Sequence, residues 1–186
     1  MELKEAISKA KSSNQLAFNF LLDKFWNDVY GFQLKRTENE NDAEDISIQT
    51  FSKAFDKIET YDEQYNFRTW LISISKNLHI DLIRKRKTLV SESSKPVEDH
   101  ADDLIDESPS PEDQLIKEQN LANLLIQIKK LKPHYQEVIN LRYFQEKSYK
   151  EIAKEQDESI NNVKVKLLRA KKLLAEIIKN SRDFNH

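Results

Sequence analysis

The chain predicts an all-α protein built as two small helical bundles joined by a flexible acidic linker. Three observations carry this. It holds one Gly, four Pro and no Cys among 186 residues, which leaves few turn formers for hairpins. Its apolar residues recur at spacings of three and four, the period of helices with one buried face. Its charge divides sharply along the chain: residues 1–87 carry 14 basic and 14 acidic groups, residues 88–118 carry 2 and 10, and residues 119–186 carry 14 and 8. A neutral head, an acidic strap and a basic tail lie behind a net charge of −2.

In the head, Phe18, Leu22, Phe25, Val29 and Phe32 alternate at spacings of four and three, which predicts a long helix with one buried stripe. After a polar break rich in Asn and Glu, Ile48, Phe51, Phe55 and Ile58 repeat the pattern. Residues 59–66 have two aromatics and no core spacing, and read as a loop. The helix that follows carries Leu71, Ile74, Leu78 and Leu82 as its expected core stripe. Beside that stripe run Trp70, Asn77, Asp81 and Arg84, and the helix continues into Arg84, Lys85, Arg86 and Lys87. An aromatic, an amide and a basic cluster along one helix edge suit a nucleic acid, since cations neutralise phosphate while flat and amide groups meet bases. The same pattern also describes a solvated basic face beside a core Trp, so this helix alone leaves both readings open.

Residues 91–111 hold three of the four prolines and many acids, with Val97, Leu104 and Ile105 as the sizeable apolar groups. Such a composition buries too little surface to fold alone and marks a domain boundary. The strap ends on a helix start, with Ser110 as N-cap and Pro111 at the first helical position. We expect domains at residues 1–90 and 111–186, with 91–110 as linker.

The tail carries a helix-turn-helix pattern. Ser148 and Glu151 have capping-box spacing, and Ile152 and Ala153 follow on a short helix. Gln156, Asp157 and Glu158 make the turn, and Ser159 is placed to cap a helix running from Ile160 to about Asn180. On that helix Val163, Leu167, Ala170, Leu174 and Ile177 form the expected buried stripe. The other side shows Asn161, Lys164, Val165, Leu168, Arg169 and Lys172. Apolar Val165 and Leu168 away from the core are what a solvated face avoids and what thymine methyls accept, with Lys164 and Arg169 in reach of guanine or phosphate.

Other classes find little support. Four scattered His and no Cys exclude a thiolate metal site and make a structural metal unexpected. No Gly-rich phosphate loop or Cys nucleophile is present, so neither an enzyme nor a cofactor is expected. The apolar runs are too short to span a bilayer, and the first residues lack the apolar core of a signal peptide, which predicts a cytoplasmic protein without membrane insertion.

Three blocks in order resemble the sigma factors of bacterial RNA polymerase, in particular the extracytoplasmic-function group with only the second and fourth sigma domains. Asp42-Ala43-Glu44-Asp45-Ile46 with Gln49 and Phe51 resembles the helix that docks on the β′ clamp helices. Trp70-Leu71, Asn77-Leu78, Asp81 and Arg84 resemble the helix that opens and reads the −10 element. Tyr149, Glu151-Ile152-Ala153, Ser159, Val163-Lys164 and Arg169-Ala170 resemble the helix-turn-helix that reads the −35 element.

The resemblance implies a non-catalytic partner of core RNA polymerase, touching the β′ clamp helices and the β flap, that recognises promoter DNA and helps melt it. It further implies that Asp42, Glu44, Asp45 and Gln49 face the polymerase and that the loop at 59–66 holds an extruded base. Tyr61 and Tyr65 are then stacking groups, Asn77 and Asp81 hydrogen-bonding groups, and Arg84 to Lys87 phosphate holders. An anti-sigma factor follows from family habit, and the strap is placed in the RNA-exit path. Two departures stand out: Gln156-Asp157 replaces a common Leu-Gly in the turn, and Val165 replaces a small polar residue. The alternative is an autonomous helix-turn-helix regulator, which binds duplex DNA unaided and does not need the Asp42–Phe51 block.

Overall fold

The computed structural model of the chain describes residues 1–92, 116 and 121–183. The expected strap, with the cap at Ser110 and Pro111, lies outside these residues. Contacts divide the chain into two compact units, Met1–Glu107 and Ser108–His186. Among the described residues the regular structure is helical.

The first unit comprises α1 (Leu3–Lys11), α2 (Gln15–Thr37), α3 (Glu40–Asp56), a 3-10 turn (Ile58–Thr60) and α4 (Phe67–Glu92). Asn14 caps α2 by accepting the Ala17 N–H at 3.0 Å, and Asn39 caps α3 by accepting the Asp42 N–H at 2.9 Å. Between them the chain turns at Glu38, which adopts the left-handed conformation (φ 54°). Phe18, Leu21, Leu22, Phe25 and Val29 of α2 are buried, as are Phe51 and Phe55 of α3 and Ile58 after it. Phe18 and Phe55 stack with centroids 4.5 Å apart, so the two aromatic stripes meet where the spacing placed them.

In the first unit the stripes of α2 and α4 depart from expectation. On α2 the last buried position is Gln33, while Phe32 is half-buried with Arg36 and Lys76 each 5.6 Å from its ring centre. On α4 the expected row Leu71, Ile74, Leu78, Leu82 is corrected by one residue. Leu71 is fully buried, but the next buried positions are Ser75 and His79, and Ile74, Leu78 and Leu82 are half-buried. The cause is a polar seam. The Gln33 amide donates to the Ser75 hydroxyl at 2.8 Å, and that hydroxyl donates to the Ile72 carbonyl at 2.8 Å. A hydrogen-bonded pair sits in the interior where a pattern of apolar residues looks for Leu.

The second unit comprises α5 (Leu121–Ile128), α6 (Pro133–Ile139), a single π-helical stretch (Asn140–Phe144), α7 (Tyr149–Gln156) and α8 (Ile160–Asp183). Pro133 opens α6 at a position whose N–H would have no helical partner. Ile128, Leu131, Tyr135, Val138, Ile139 and Leu141 pack with Ile152, Ala153, Val163, Leu167, Ala170 and Leu174 into one apolar cluster. The stripe on α8 follows the expected row as far as Leu174; beyond it Ile178 is buried and Ile177 only packs at the edge.

Candidate nucleic-acid and polymerase interfaces

On α3 the four expected docking residues do not share one environment. Asp45 and Gln49 are exposed and Glu44 is half-buried. Asp42, whose side chain is 16% exposed, is held from α4: Arg86 donates one hydrogen bond to each of its carboxylate oxygens, both at 2.7 Å. This fork geometry is the strongest form of ion pairing available to Arg. The bonded carboxylate raises the Arg86 pKa further, against the opposing effect of burial. Arg86 thus braces α3 against α4 through its guanidinium, while its side chain remains 59% exposed. Next to this face, Trp26 and Tyr30 of α2 stack with centroids 6.2 Å apart, and Trp26 also stacks on Phe51 at 6.0 Å. Burial, with Glu40 and Glu44 nearby, raises the Tyr30 pKa. Their spacing of four beside the α2 stripe was the available signal for these aromatics.

The loop before α4 separates its two tyrosines. Tyr65 is 70% exposed, whereas Tyr61 is 5% exposed. The Tyr61 ring meets Phe67 edge-on with centroids 5.0 Å apart and lies 5.0 Å from the Trp70 ring. In this arrangement Tyr61 is an internal prop of the loop, and Tyr65 is the tyrosine displayed on it. Asn66 opens α4 by accepting the Thr69 N–H at 3.2 Å. From there Trp70 is half-buried on the aromatic cluster, and Asn77, Asp81, Arg84, Lys85 and Lys87 are exposed. Arg84 and Asp81 approach to 3.8 Å across one helical turn. From Asn77 to Arg84 the edge extends about 10 Å at the helical rise.

In the second unit, α7 and α8 form the helix-turn-helix. The Ser148 side chain accepts the Glu151 N–H, and the Glu151 carboxylate accepts from the Ser148 N–H at 2.8 Å, closing the capping box. Hydrogen bonds from Ser148 hold the Glu151 carboxyl below its usual range. Asp157 takes the left-handed conformation at the turn (φ 50°, ψ 50°), where many helix turns place Gly. Ser159 caps α8 by accepting the Asn162 N–H at 3.2 Å. Asn161, Lys164, Leu168 and Lys172 are half-buried.

Two expected contact residues of α8 stand elsewhere. Val165 is 3% exposed, so its methyls are not displayed in this arrangement. Arg169 is 8% exposed, with its guanidinium 5.7 Å from the centre of the Tyr135 ring, where a cation–π contact draws it toward α6. Sequence reasoning also passed over Lys166, which donates to Gln156 at 3.0 Å and pairs with Glu158 across the turn, both side chains 5% exposed. Gln156 is where the common Leu is absent, and Lys166 gives that polar replacement a partner. Burial and the cations Lys166, Lys132 and Arg169 push the neighbouring His134 down to about 4.

The two units together define a DNA-binding class, a helix-turn-helix joined in one chain to a bundle with a basic, aromatic helix edge. The sigma-70 region 2 family matches residues 21–88, and the sigma-70 region 4 family matches residues 122–174. The extracytoplasmic-function (ECF) RNA polymerase sigma factor SigM of Bacillus subtilis is 32% identical over 155 residues, 81% of this chain and 88% of that protein. SigW of the same organism is 27% identical over 184 residues, 97% of this chain and 98% of that protein. Among solved structures, the sigma factor RpoE in complex with the anti-sigma factor NepR from Bartonella quintana aligns with a TM-score of 0.41. It is 22% identical and the alignment covers 87% of this chain and 96% of that one. The chain belongs to the ECF group of sigma-70 family RNA polymerase sigma factors. Among the described residues no helix is long and apolar enough to cross a membrane.

Proposed function

We propose that the first unit does two jobs and the second unit one. Asp45, Gln49 and Glu44, with Asp42 held by Arg86, dock α3 on a basic surface of core polymerase, where charge sets encounter and register. Tyr65, Trp70, Asn77, Asp81, Arg84, Lys85 and Lys87 hold one strand of the −10 element with a base extruded, at a cost of a few kcal/mol in lost stacking. Asn161, Lys164, Leu168 and Lys172 meet the −35 element, with Val165 and Arg169 joining only if α8 repacks. The observation that carries this reading is the single edge of α4 on which a displayed aromatic loop, an exposed amide and a basic run succeed one another.

The open groove between α5, α6 and the π-helical stretch is lined by Leu125, Ile128, Pro133 and Phe144, and supports a second docking site on the polymerase, toward the β flap. The domains then run 1–90 and 111–186, with the linker at 91–110. The polymerase forms the phosphodiester bonds; this chain selects where, in the cytoplasm with the enzyme it serves.

The test is capture of purified core polymerase followed by transcription from a pool of genomic promoter fragments. Stable holoenzyme with discrete new start sites is expected, and Asp45→Lys is expected to abolish capture without unfolding the protein. Failure to bind core, with duplex DNA bound unaided, returns the chain to the autonomous regulator.

A further inference from the structure

The turn assigned to the extruded base is held from outside the DNA-facing helix. Helix α1 buries Ala6, Ile7 and Ala10, and its last residue, Lys11, reaches the loop. The Lys11 ammonium donates to Glu63 at 3.0 Å and lies 6.0 Å from the centre of the Tyr61 ring. At the other end of the turn the Tyr61 hydroxyl donates to the Tyr65 carbonyl at 2.5 Å. Between these points the Tyr65 N–H donates to the Asp62 carbonyl at 3.2 Å, and the Asp62 carboxylate accepts the Gln64 N–H at 2.9 Å. The result is a short turn clamped at Glu63 and at Tyr65, with the Tyr65 ring outermost.

We propose that Lys11 and Tyr61 are positioning residues for base recognition, and that α1 belongs to the −10 reading machinery by fixing the register of Tyr65 against the Trp70–Asn77 edge. This rests on the assignment of that edge to the −10 strand. A free loop of this length samples several conformers, and a base stacks productively on only those that present the ring at the right height. Affinity for a base that needs this stack falls in proportion to the fraction of receptive conformers, whereas a base that does not use it is unaffected. A contact that raises that fraction therefore widens the gap between them without touching DNA. The Lys11 and Glu63 side chains are 31% and 56% exposed. An ion pair so exposed adds little to global stability, so its effect is confined to the turn it holds.

The experiment uses full-length protein in holoenzyme with core polymerase, on promoters substituted one base at a time across the −10 element. 2-Aminopurine fluorescence reports extrusion. Lys11→Met and Tyr61→Phe are expected to assemble holoenzyme as the parent does and still to open the promoter. Each should lose discrimination at one −10 position by about two- to fivefold, the scale of an exposed pair. Tyr65→Ala should lose it at the same position; Lys11→Glu alone should lose it too, and adding Glu63→Lys to Lys11→Glu should restore it. An unchanged base profile in Lys11→Met, an equal loss at every position, or no rescue by the exchange overturns the brace alone. Parent holoenzyme that shows no −10 base preference at all overturns the assignment of the edge, and the brace with it.

Discussion

The long helices α4 and α8 invite comparison, for each packs one face into its unit and each carries the cations expected to meet DNA. The buried row of α8 is apolar through Val163, Leu167, Ala170 and Leu174. The buried row of α4 runs Phe67, Leu71, Ser75 and His79, two apolar residues and then two polar ones. The difference follows from what lies opposite: apolar side chains of α6 and α7 in one case, and Gln33 of α2 in the other. Both helices nonetheless give a cation an internal partner, Arg86 to Asp42 at the surface and the buried Arg169 to Tyr135. A basic residue on the outer face of a helix is therefore not yet a DNA contact; a carboxylate or ring within reach competes for it.

Several substitutions break or sharpen this contrast. The largest effect is expected from Ile152→Ala, which empties a fully buried site in the apolar cluster. It should cost the second unit about 2–5 kcal/mol, read by amide hydrogen exchange along α7 and α8, and leave α4 unchanged. Ser75→Ala should cost the first unit about 1–3 kcal/mol, because the buried Gln33 amide loses its acceptor. Combining it with Gln33→Leu should recover most of that loss in chemical denaturation; a double variant as unstable as the single one would refute the polar seam.

Ser148→Ala should cost about 1 kcal/mol by opening the capping box. The Glu151 part of that box has a sign in pH. Its carboxyl is held below the ordinary glutamate value of 4.5, so its contribution is complete above that value and lost as pH falls through the folded one. The Ser148→Ala difference should therefore shrink in acid. The smallest effect at neutral pH is expected from His134→Gln. In the folded chain His134 titrates near 4 and in the unfolded chain near 6.5, so the unfolded state binds the extra proton in between. Stability of the second unit should decline as pH drops from 6.5 to 4, and the substitution should flatten that slope in thermal melts followed by circular dichroism.

The second unit was largely readable from sequence. The Ser148–Glu151 box, the turn at Asp157 and the cap at Ser159 are local chemistry, and each forms as its residue types dictate. The aromatic stripes of α2 and α3 were readable for the same reason, their spacing being helical and their side chains apolar. What stayed hidden is long-range pairing between polar groups. Nothing local sets Arg86 apart from Arg84, Lys85 and Lys87; only the approach of α3 gives it Asp42. Nothing local separates Tyr61 from Tyr65 either, since the burial of one depends on Phe67 and Trp70 folding over it. Lys166 stood beside the apolar row with no sign that Gln156 and Glu158 would both turn to it.

The left-handed turns at Ser13, Glu38, Glu146 and Asp157 are made without a single Gly. Glycine at such a joint opens a wide range of backbone angles, whereas a residue with a side chain is confined to one narrow well. These joints behave less like hinges than like elbows with a stop. At Asp157 the stop sets the angle at which α8 leaves α7, so the orientational freedom of α8 is surrendered when the unit folds and not when it meets its target. A chain nearly without glycine is, by this measure, one whose helices are aimed in advance.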